Sequence, residues 1–337
     1  MTGRAQAMQG FLDAAGWGAA LRRHLAGDAS DRRYERLTLT GQQAVLMDNP
    51  PGGADDPAAF VGIATHLGSL GLSAPRILAA DTGQGFLLLE DLGDALFARL
   101  LAREPAREMA LYAVATDALI HLQGAPAPDG LPDLSAGEWA QAAAFALDWY
   151  AFAATGTRPD VRPFTDALTA ALQAHADGPR VLILRDYHAE NLLWLPDRQG
   201  VARAGLLDFQ LGQMGQPGYD LVSLLQDARR DVAPATDAAM TARFAMATGA
   251  TGFDATFAAL GAQRALRILG VFARLALVAG KPAYLPLIPR VWGQLQANLA
   301  HPALRALSAV CAPLLPPPTA PVLERIARQC GTMRPTP

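Results

Sequence analysis

The sequence predicts an α+β fold in which a small β-rich lobe is followed by a larger, mostly helical lobe. Short runs of alternating apolar residues, bounded by turn-forming residues, occupy much of residues 1–92. Long Ala- and Leu-rich segments with helical periodicity dominate residues 93–337. With 337 residues, of which 51% are hydrophobic and 18% are charged, the chain is long enough for two lobes with a substantial core.

The N-terminal lobe is expected to contain four strands and two helices. Residues 34–39 alternate between apolar and polar side chains, and Gly41 marks the turn that follows. A later helix ends at Gly71, a residue type that commonly follows a helix. In chain order, we expect a helix over 8–26, strands over 34–39 and 44–47, a helix over 57–70, and strands over 77–80 and 86–89.

The C-terminal lobe is expected to be helical apart from a few short strands. Its first helical segments are separated by a Pro-containing loop over 125–133. A short connector over residues 90–94 joins the two lobes and places a cleft between them. In chain order, we expect helices over 94–124 and 136–176, strands over 181–184, 192–195 and 204–209, and helices from 220 to about 312.

Composition excludes several classes of partner and predicts a cytoplasmic protein. The formal net charge of −3 argues against a nucleic-acid partner. The most apolar long segment, 266–280, contains two arginines and is too short to cross a bilayer, so no membrane association is expected. Cys311 and Cys330 have no metal-binding spacing and favour a reducing compartment. Nothing in the sequence indicates an obligate protein partner.

The segment from Val181 to Leu195, VLILRDYHAENLLWL, places charged residues between two apolar runs. A polar turn between two strands would account for it, yet a buried carboxylate is costly unless it is paired or meets a metal. Two strands joined by a turn would bring Asn191 and Asp208 to one point, and their oxygens are ligands that Mg²⁺ prefers. Asp186, on the loop before Asn191, could accept the proton of an attacking hydroxyl.

The ordered set D-x-x-x-x-N, then L-D-F, then Gly215-Gln-Pro-Gly-Tyr-Asp-Leu221 resembles the aminoglycoside-phosphotransferase branch of the protein-kinase-like fold. The resemblance implies a bilobal kinase fold, with ATP and Mg²⁺ as cofactors. It also implies that Asp186 is the catalytic base and that Asn191 and Asp208 hold the metal. Asp220 and Arg185 would support the catalytic loop.

The segment LLLEDLG, ending at Gly93, resembles the hinge whose backbone binds adenine in this fold. The Glu90 carbonyl and the Leu92 amide are the expected contacts, because a nucleobase edge needs one acceptor and one donor. The segment can equally be an ordinary strand end followed by a helix N-cap at Asp94, and the two readings are compatible.

The sequence departs from the kinase pattern at the phosphate anchor. Met47 and Asp48 occupy the strand where a lysine is expected, and Lys281 is the only lysine among 28 basic residues. Either the chain is a nucleotide-binding pseudokinase, or Ser30 with Arg32 or Arg33 binds the phosphates instead. A guanidinium suits phosphate well, and the retained Asp186 favours an active enzyme.

The combined motifs, among them GDAS-x-RRY, RDYHAENLLWL and LDFQLGQ, resemble bacterial anomeric sugar kinases of cell-wall recycling. This resemblance implies phosphorylation of the C1 hydroxyl of N-acetylmuramate or N-acetylglucosamine. The alternatives are a kinase of an aminoglycoside, choline or amino alcohol, and the pseudokinase. The candidate sugar contacts are His188 and Glu190, with solvent-facing loop roles as their alternative, Trp149 and Tyr150, with core roles as theirs, and Arg290, which could meet a lactyl carboxylate.

Overall fold

The computed structural model describes residues 3–26, 32–52 and 56–333. They form two compact units, each assembled from separate stretches of chain. The first unit comprises residues 1–130 and 184–213, and the second comprises residues 131–183 and 214–337.

The first unit carries an antiparallel five-stranded sheet in the order β1-β2-β3-β5-β4. Its helices and strands are α1 (Gly3–Ala14), β1 (Leu21–Ala26), β2 (Arg33–Leu39), β3 (Gln42–Asp48), α2 (Pro57–Ser69), β4 (Ile77–Asp81), β5 (Phe86–Glu90), α3 (Phe97–Arg103), α4 (Glu108–Gln123), β7 (Leu192–Trp194) and β8 (Ala204–Leu206). The four strands predicted for this region are all present.

One face of the sheet packs against α1. Leu37, Leu46 and Leu88 alternate along their strands onto that face, so all three are buried with Met8 and Leu12 of the helix. Burial of this apolar surface is what fixes the register of the sheet, because a slip by one residue would turn these side chains outward.

The helix predicted over 8–26 ends early. α1 ends at Ala14, and residues 21–26 form β1, which pairs with β2 from Leu21 opposite Thr38. Gly16 adopts a φ of 77°, in the left-handed region that terminates helices and favours glycine. The apolar spacing continues to Leu21 and predicts a longer helix, but Gly16 ends the helix before that residue.

The single predicted boundary at residue 92 also differs from the structure. The strand β8 attaches to the N-terminal region, since Leu206 donates its amide to Ser73 O at 2.9 Å. On the other side of the hairpin, Trp194 donates its amide to Ala95 O at 2.8 Å, and the Tyr187 hydroxyl donates to Ala115 O at 2.9 Å. These bonds place the catalytic-loop segment in the same unit as the five-stranded sheet.

The second unit is helical around the 25-residue helix α10, as the sequence predicts. The predicted helix over 136–176 is divided by a π-helix at Ala146–Ala151 and by Gly156, whose φ is 87°. Among the described residues, no helix combines the length and apolar character needed to cross a membrane. The remaining elements are α5 (Ala136–Ala143), α6 (Phe152–Thr155), α7 (Arg162–His175), β6 (Val181–Ile183), β9 (Gln213–Gly215), α8 (Tyr219–Leu225), α9 (Pro234–Thr248), α10 (Phe253–Leu277), α11 (Ile288–Leu299), α12 (Arg305–Leu314) and α13 (Ala320–Ala327).

Candidate active site

The loop over 184–191 is held by hydrogen bonds within itself. The Asp186 amide donates to Leu184 O at 2.9 Å, and the Asn191 amide donates to His188 O at 2.8 Å. The Asn191 side chain closes the loop by donating Nδ2 to Asp186 O at 2.9 Å. Because its amide nitrogen is used in this way, the Oδ1 of Asn191 is the atom left to face a ligand.

A hairpin brings Asn191 and Asp208 to the same end of two paired strands, as the sequence predicts. β7 and β8 are antiparallel, with Leu192 opposite Leu206. The next residues along are joined as well, since the Leu207 amide donates to Asn191 O at 3.0 Å. Asp208 follows immediately. The strand predicted over 204–209 ends at Leu206, because Asp208 adopts a left-handed backbone with a φ of 57°.

Backbone strain is concentrated in this loop and hairpin. Within the described ranges, three residues other than glycine have a φ in the left-handed region, namely Thr40, Arg185 and Asp208. Such conformations cost about 1–3 kcal/mol each and cluster at functional sites. Thr40 lies in a β-turn, whereas Arg185 directly precedes Asp186 and Asp208 is itself a candidate metal ligand.

Arg32, the residue just before β2, reaches Asp208. Its side chain is 10% exposed, and Nη2 donates to Asp208 Oδ1 at 3.0 Å. Nη1 lies 3.3 Å from the Tyr34 hydroxyl oxygen. Arg33 is exposed on β2. Of the two arginines considered from the sequence, the structure therefore brings Arg32 to the candidate metal ligand; Ser30 lies outside the described residues.

Gln210 is a site residue that the sequence reasoning missed. It is 6% exposed and donates Nε2 to Asp208 Oδ1 at 2.9 Å, so the same carboxylate oxygen accepts from both Gln210 and Arg32. The signal available in the sequence was the position of this glutamine, two residues after the aspartate of the LDFQ stretch.

A cavity of about 330 Å³ joins the predicted hinge to the candidate metal ligands within the first unit. Glu90 and Leu92 line it together with Glu190, Asn191 and Asp208. A volume of this order is within the range of small-molecule sites. Its apolar lining includes Leu25, Val45, Phe60, Leu89, Leu193 and Leu207.

The predicted hinge residues differ in which of their polar groups already have partners. The Glu90 side chain is committed to ion pairs with Arg76 at 3.1 Å and Arg198 at 2.8 Å. The amide of Leu92 donates to no described residue, so it can donate to a ligand in the cavity. The predicted contacts through the Glu90 carbonyl and Leu92 amide remain compatible with this geometry.

A buried arginine fixes the hinge from β2, and sequence reasoning missed this residue too. Arg36 pairs with Asp91 through Nη2 at 2.9 Å and with Asp94 through Nη1 at 2.7 Å. The hydrogen bond from Arg36 holds the pKa of Asp94 below its usual value. Arg36 and Asp91 are 6% and 4% exposed at their side chains, whereas Asp94 is 58% exposed. All three residues line the cavity.

The strand β3 offers no cation to the cavity. Met47 is buried at 1% exposure, where a phosphate-binding lysine was expected. Asp48 is paired with Arg4 of α1, whose Nε donates to it at 3.0 Å. Arg32 therefore supplies the positive charge beside Asp208 that β3 lacks.

The donor set at Asn191 and Asp208 fits a divalent cation of the magnesium type. It consists of one amide oxygen and one carboxylate, both oxygen ligands. In the described part of the chain, no group of three or more His, Cys, Asp or Glu residues could hold a metal. A cation here would therefore complete its shell with water and phosphate oxygens, which is how Mg²⁺ binds in nucleotide sites.

The other predicted site residues lie in different surroundings. His188 is buried at 7% exposure, so the alternative of a solvent-facing loop residue is wrong for it, whereas Glu190 is exposed. In the second unit, Asp220 is fully buried in the first turn of α8. Arg290 forms a two-point ion pair with Asp231, at 2.7 and 3.1 Å.

The predicted aromatic sugar contacts are core residues. Tyr150 is fully buried, and its hydroxyl donates to Pro316 O at 2.6 Å. Trp149 is 6% exposed, with the Arg274 guanidinium 5.8 Å from its ring centroid. Both lie in the π-helix, whose side chains join the main core of the second unit. Their packing matches the core alternative, and the full burial of Tyr150 leaves no exposed ring face for stacking on a sugar, whereas the contact through Trp149 stays a prediction.

The candidate catalytic loop, the candidate metal-ligand hairpin and the predicted hinge together form the arrangement expected of a phosphotransferase of the protein-kinase-like fold. Residues 22–269 match the phosphotransferase enzyme family, APH, and the chain belongs to that family. It is therefore a phosphotransferase that acts on an alcohol group.

Curated relatives share most of the chain. An N-acetylmuramate/N-acetylglucosamine kinase from Caulobacter vibrioides is 38% identical, over 91% of this chain and 95% of the relative. A kinase of the same name from Pseudomonas aeruginosa is 32% identical, over 89% of this chain and 91% of its own length.

Solved structures share the fold. Choline kinase LicA from Streptococcus pneumoniae aligns with a TM-score of 0.60 at 13% identity, covering 90% of this chain and 99% of LicA. Aminoglycoside phosphotransferase APH(4)-Ia aligns with a TM-score of 0.61 at 15% identity, covering 90% of this chain and 99% of that protein.

Proposed function

We propose that the protein uses MgATP to phosphorylate the anomeric C1 hydroxyl of N-acetylmuramate and N-acetylglucosamine in cell-wall recycling. The observation that carries the sugar assignment is the 38% identity, over 91% of the chain, to a kinase named for these two sugars. ATP as the donor places the reaction in the cytoplasm. The substrate is a small molecule, and the proposal requires no protein partner, nucleic acid or membrane.

The cavity supports nucleotide binding. The Glu90 carbonyl and Leu92 amide would receive the adenine edge, while the apolar lining packs against the ring. The phosphates would extend toward Asp208, where Arg32 offers a guanidinium suited to phosphate geometry. Related folds accommodate nucleotides, since LicA has been solved with AMP and APH(4)-Ia with AMP-PNP.

Asn191 and Asp208 would hold Mg²⁺. When bound, the cation would neutralise charge on the phosphate oxygens during transfer. The chain's contribution is to present two oxygen ligands from the end of one hairpin, with Asn191 fixed by its bond to Asp186 O. Asp220 and Arg185, which would support the loop, stay predictions.

Asp186 would orient the anomeric hydroxyl and accept its proton. An anomeric hydroxyl is more acidic than other sugar hydroxyls, so a carboxylate is an adequate base for it. Most of the rate acceleration would come from alignment and charge neutralisation rather than from proton transfer. On the sugar side, His188, Glu190 and Arg290 remain predicted contacts; for Arg290, contact with a lactyl carboxylate would require rearrangement of its pair with Asp231.

A coupled assay with ATP and Mg²⁺ tests the proposal. The acceptor panel contains N-acetylmuramate, N-acetylglucosamine, the 1-O-methyl glycoside of N-acetylglucosamine, choline and an aminoglycoside. We expect turnover on the two free sugars and none on the glycoside, whose C1 oxygen carries no proton. Turnover on the glycoside would exclude C1 as the acceptor position. Nucleotide binding without turnover on any acceptor would favour a pseudokinase.

A further inference from the structure

We propose that Gln210 is a positioning residue for the metal-binding carboxylate of Asp208. In this role it holds the carboxylate when Arg32 moves to the phosphates, and it accepts a hydrogen bond from water on the bound cation. The inference rests on the proposed function and adds a residue that the kinase motif does not contain.

The chemistry of the two side chains fixes how Gln210 is oriented. The distance of 2.9 Å joins a Gln210 side-chain atom to Asp208 Oδ1, and an ionised carboxylate can only accept. The amide nitrogen must therefore face Asp208. This leaves Oε1 as a buried acceptor that receives no hydrogen bond from the described residues.

Arg32 cannot serve Asp208 and the phosphates equally well. Its Nη2 shares Oδ1 with Gln210, at 3.0 Å, and its positive charge competes with a cation for the same carboxylate. Phosphate binding would draw the guanidinium toward the nucleotide and free the carboxylate for the cation. Gln210 is neutral, so its bond to Oδ1 can persist beside a bound cation and keep the carboxylate in place.

The orphaned Oε1 indicates what Gln210 meets in the loaded site. Buried polar atoms are almost always hydrogen-bonded, so a donor is expected at this position. Mg²⁺ keeps several of its waters when it binds proteins, and those waters are donors. A group that bonds both a metal ligand and a metal-bound water has the typical role of an outer-shell residue.

Gln210→Met tests the proposal, because methionine keeps the length of the side chain and removes both hydrogen-bonding atoms. Outer-shell losses cost roughly 10- to 100-fold in metal affinity. We expect the Mg²⁺ concentration for half-maximal activity to rise by that factor. Mn²⁺ binding in the presence of AMP-PNP, followed by electron paramagnetic resonance, should weaken in parallel, while AMP-PNP binding without metal stays unchanged.

Gln213→Met is the matched control. Gln213 is buried to a similar extent, at 4% exposure, three residues further along, and no metal effect is expected from its loss. Gln210→Ala serves if the methionine variant does not fold. An unchanged Mg²⁺ requirement in the Gln210 variants would overturn the proposal. An equal change in Gln213→Met would overturn it too, and so would Gln210 variants that show a lower melting temperature and no change in metal binding. If wild type phosphorylates no sugar, the Mn²⁺ measurement still reports on Gln210.

Discussion

At the scale of single residues, we propose that Arg32 is the side chain that binds the nucleotide phosphates. It is buried beside Asp208, while β3 carries Met47 where a lysine was expected. Its guanidinium contacts Asp208, which lines the hinge cavity, so we expect it to lie close to the phosphates of a nucleotide bound there. Under this proposal, the phosphate anchor has moved from β3 to Arg32, and the absence of the lysine does not imply a loss of catalysis.

Arg32→Gln should weaken ATP binding while Arg33→Gln should not. A hydrogen bond to a charged group contributes about 1.5–3 kcal/mol, so the KM for ATP should rise roughly 10- to 100-fold in the Arg32 variant. Arg33 is exposed on β2 and serves as the adjacent control of the same residue type. Steady-state kinetics on both variants measures the effect. Equal KM values for the two variants would remove Arg32 from the phosphate site.

The sequence points to the candidate residues of the loop and hairpin but not to the side chains that contact them. Asp186, Asn191 and Asp208 were identifiable because their order and spacing along the chain suffice to suggest their chemistry. The contact between Gln210 and Asp208 depends on the rotamer of the glutamine. The contacts of Arg36 depend on which face of β2 meets the predicted hinge. The spacing of residues along the chain predicts neither.

At the scale of elements, the hinge is fixed to the sheet by one ion-pair network. Arg36 of β2 binds Asp91 and Asp94, on either side of Gly93. The bond from the Gly93 amide to Asp91 Oδ1, at 2.9 Å, adds to the constraint. The segment that would receive adenine is thereby held before any ligand arrives, which lowers the cost of binding.

Arg36→Met should destabilise the protein strongly and Asp94→Asn only slightly. Removing Arg36 leaves the buried Asp91 carboxylate without its cation, at a cost of about 3–5 kcal/mol. Asp94 is 58% exposed, and solvent-exposed pairs contribute less than about 1 kcal/mol. Urea unfolding gives the two free energies of unfolding. Similar small losses in both variants would show that the network does not stabilise the hinge.

The predicted strands and helices were confirmed where the hydrophobic periodicity and the turn residues agreed. They were wrong where the periodicity and a glycine gave opposite indications. The strands β2 to β5 were found because alternation and turn residues agree. The helix over 8–26 was wrong because apolar spacing extends beyond Gly16, although the chain turns at that glycine and pairs Leu21 with Thr38. Strand pairing is a long-range interaction, and local periodicity does not report it.

At the scale of the whole molecule, sequence order and spatial grouping differ. The segment over 184–213 returns to the N-terminal unit, so the candidate catalytic loop, the candidate metal-ligand hairpin and the predicted hinge belong to one compact unit. The sequence predicted the α+β class and the kinase-like fold, because the order of the motifs along the chain does not depend on how the segments group in space. It did not predict the discontinuous division, since hydrogen bonds such as that from Leu206 to Ser73 join residues far apart in the chain.

We propose that this chain is an active sugar kinase whose base is Asp186. The most direct measurement compares wild type with Asp186→Asn, following turnover of N-acetylmuramate and binding of AMP-PNP with Mg²⁺. We predict that kcat falls by roughly 10²- to 10⁴-fold, the usual contribution of a general base, while nucleotide affinity stays the same. Full activity in Asp186→Asn would contradict the account.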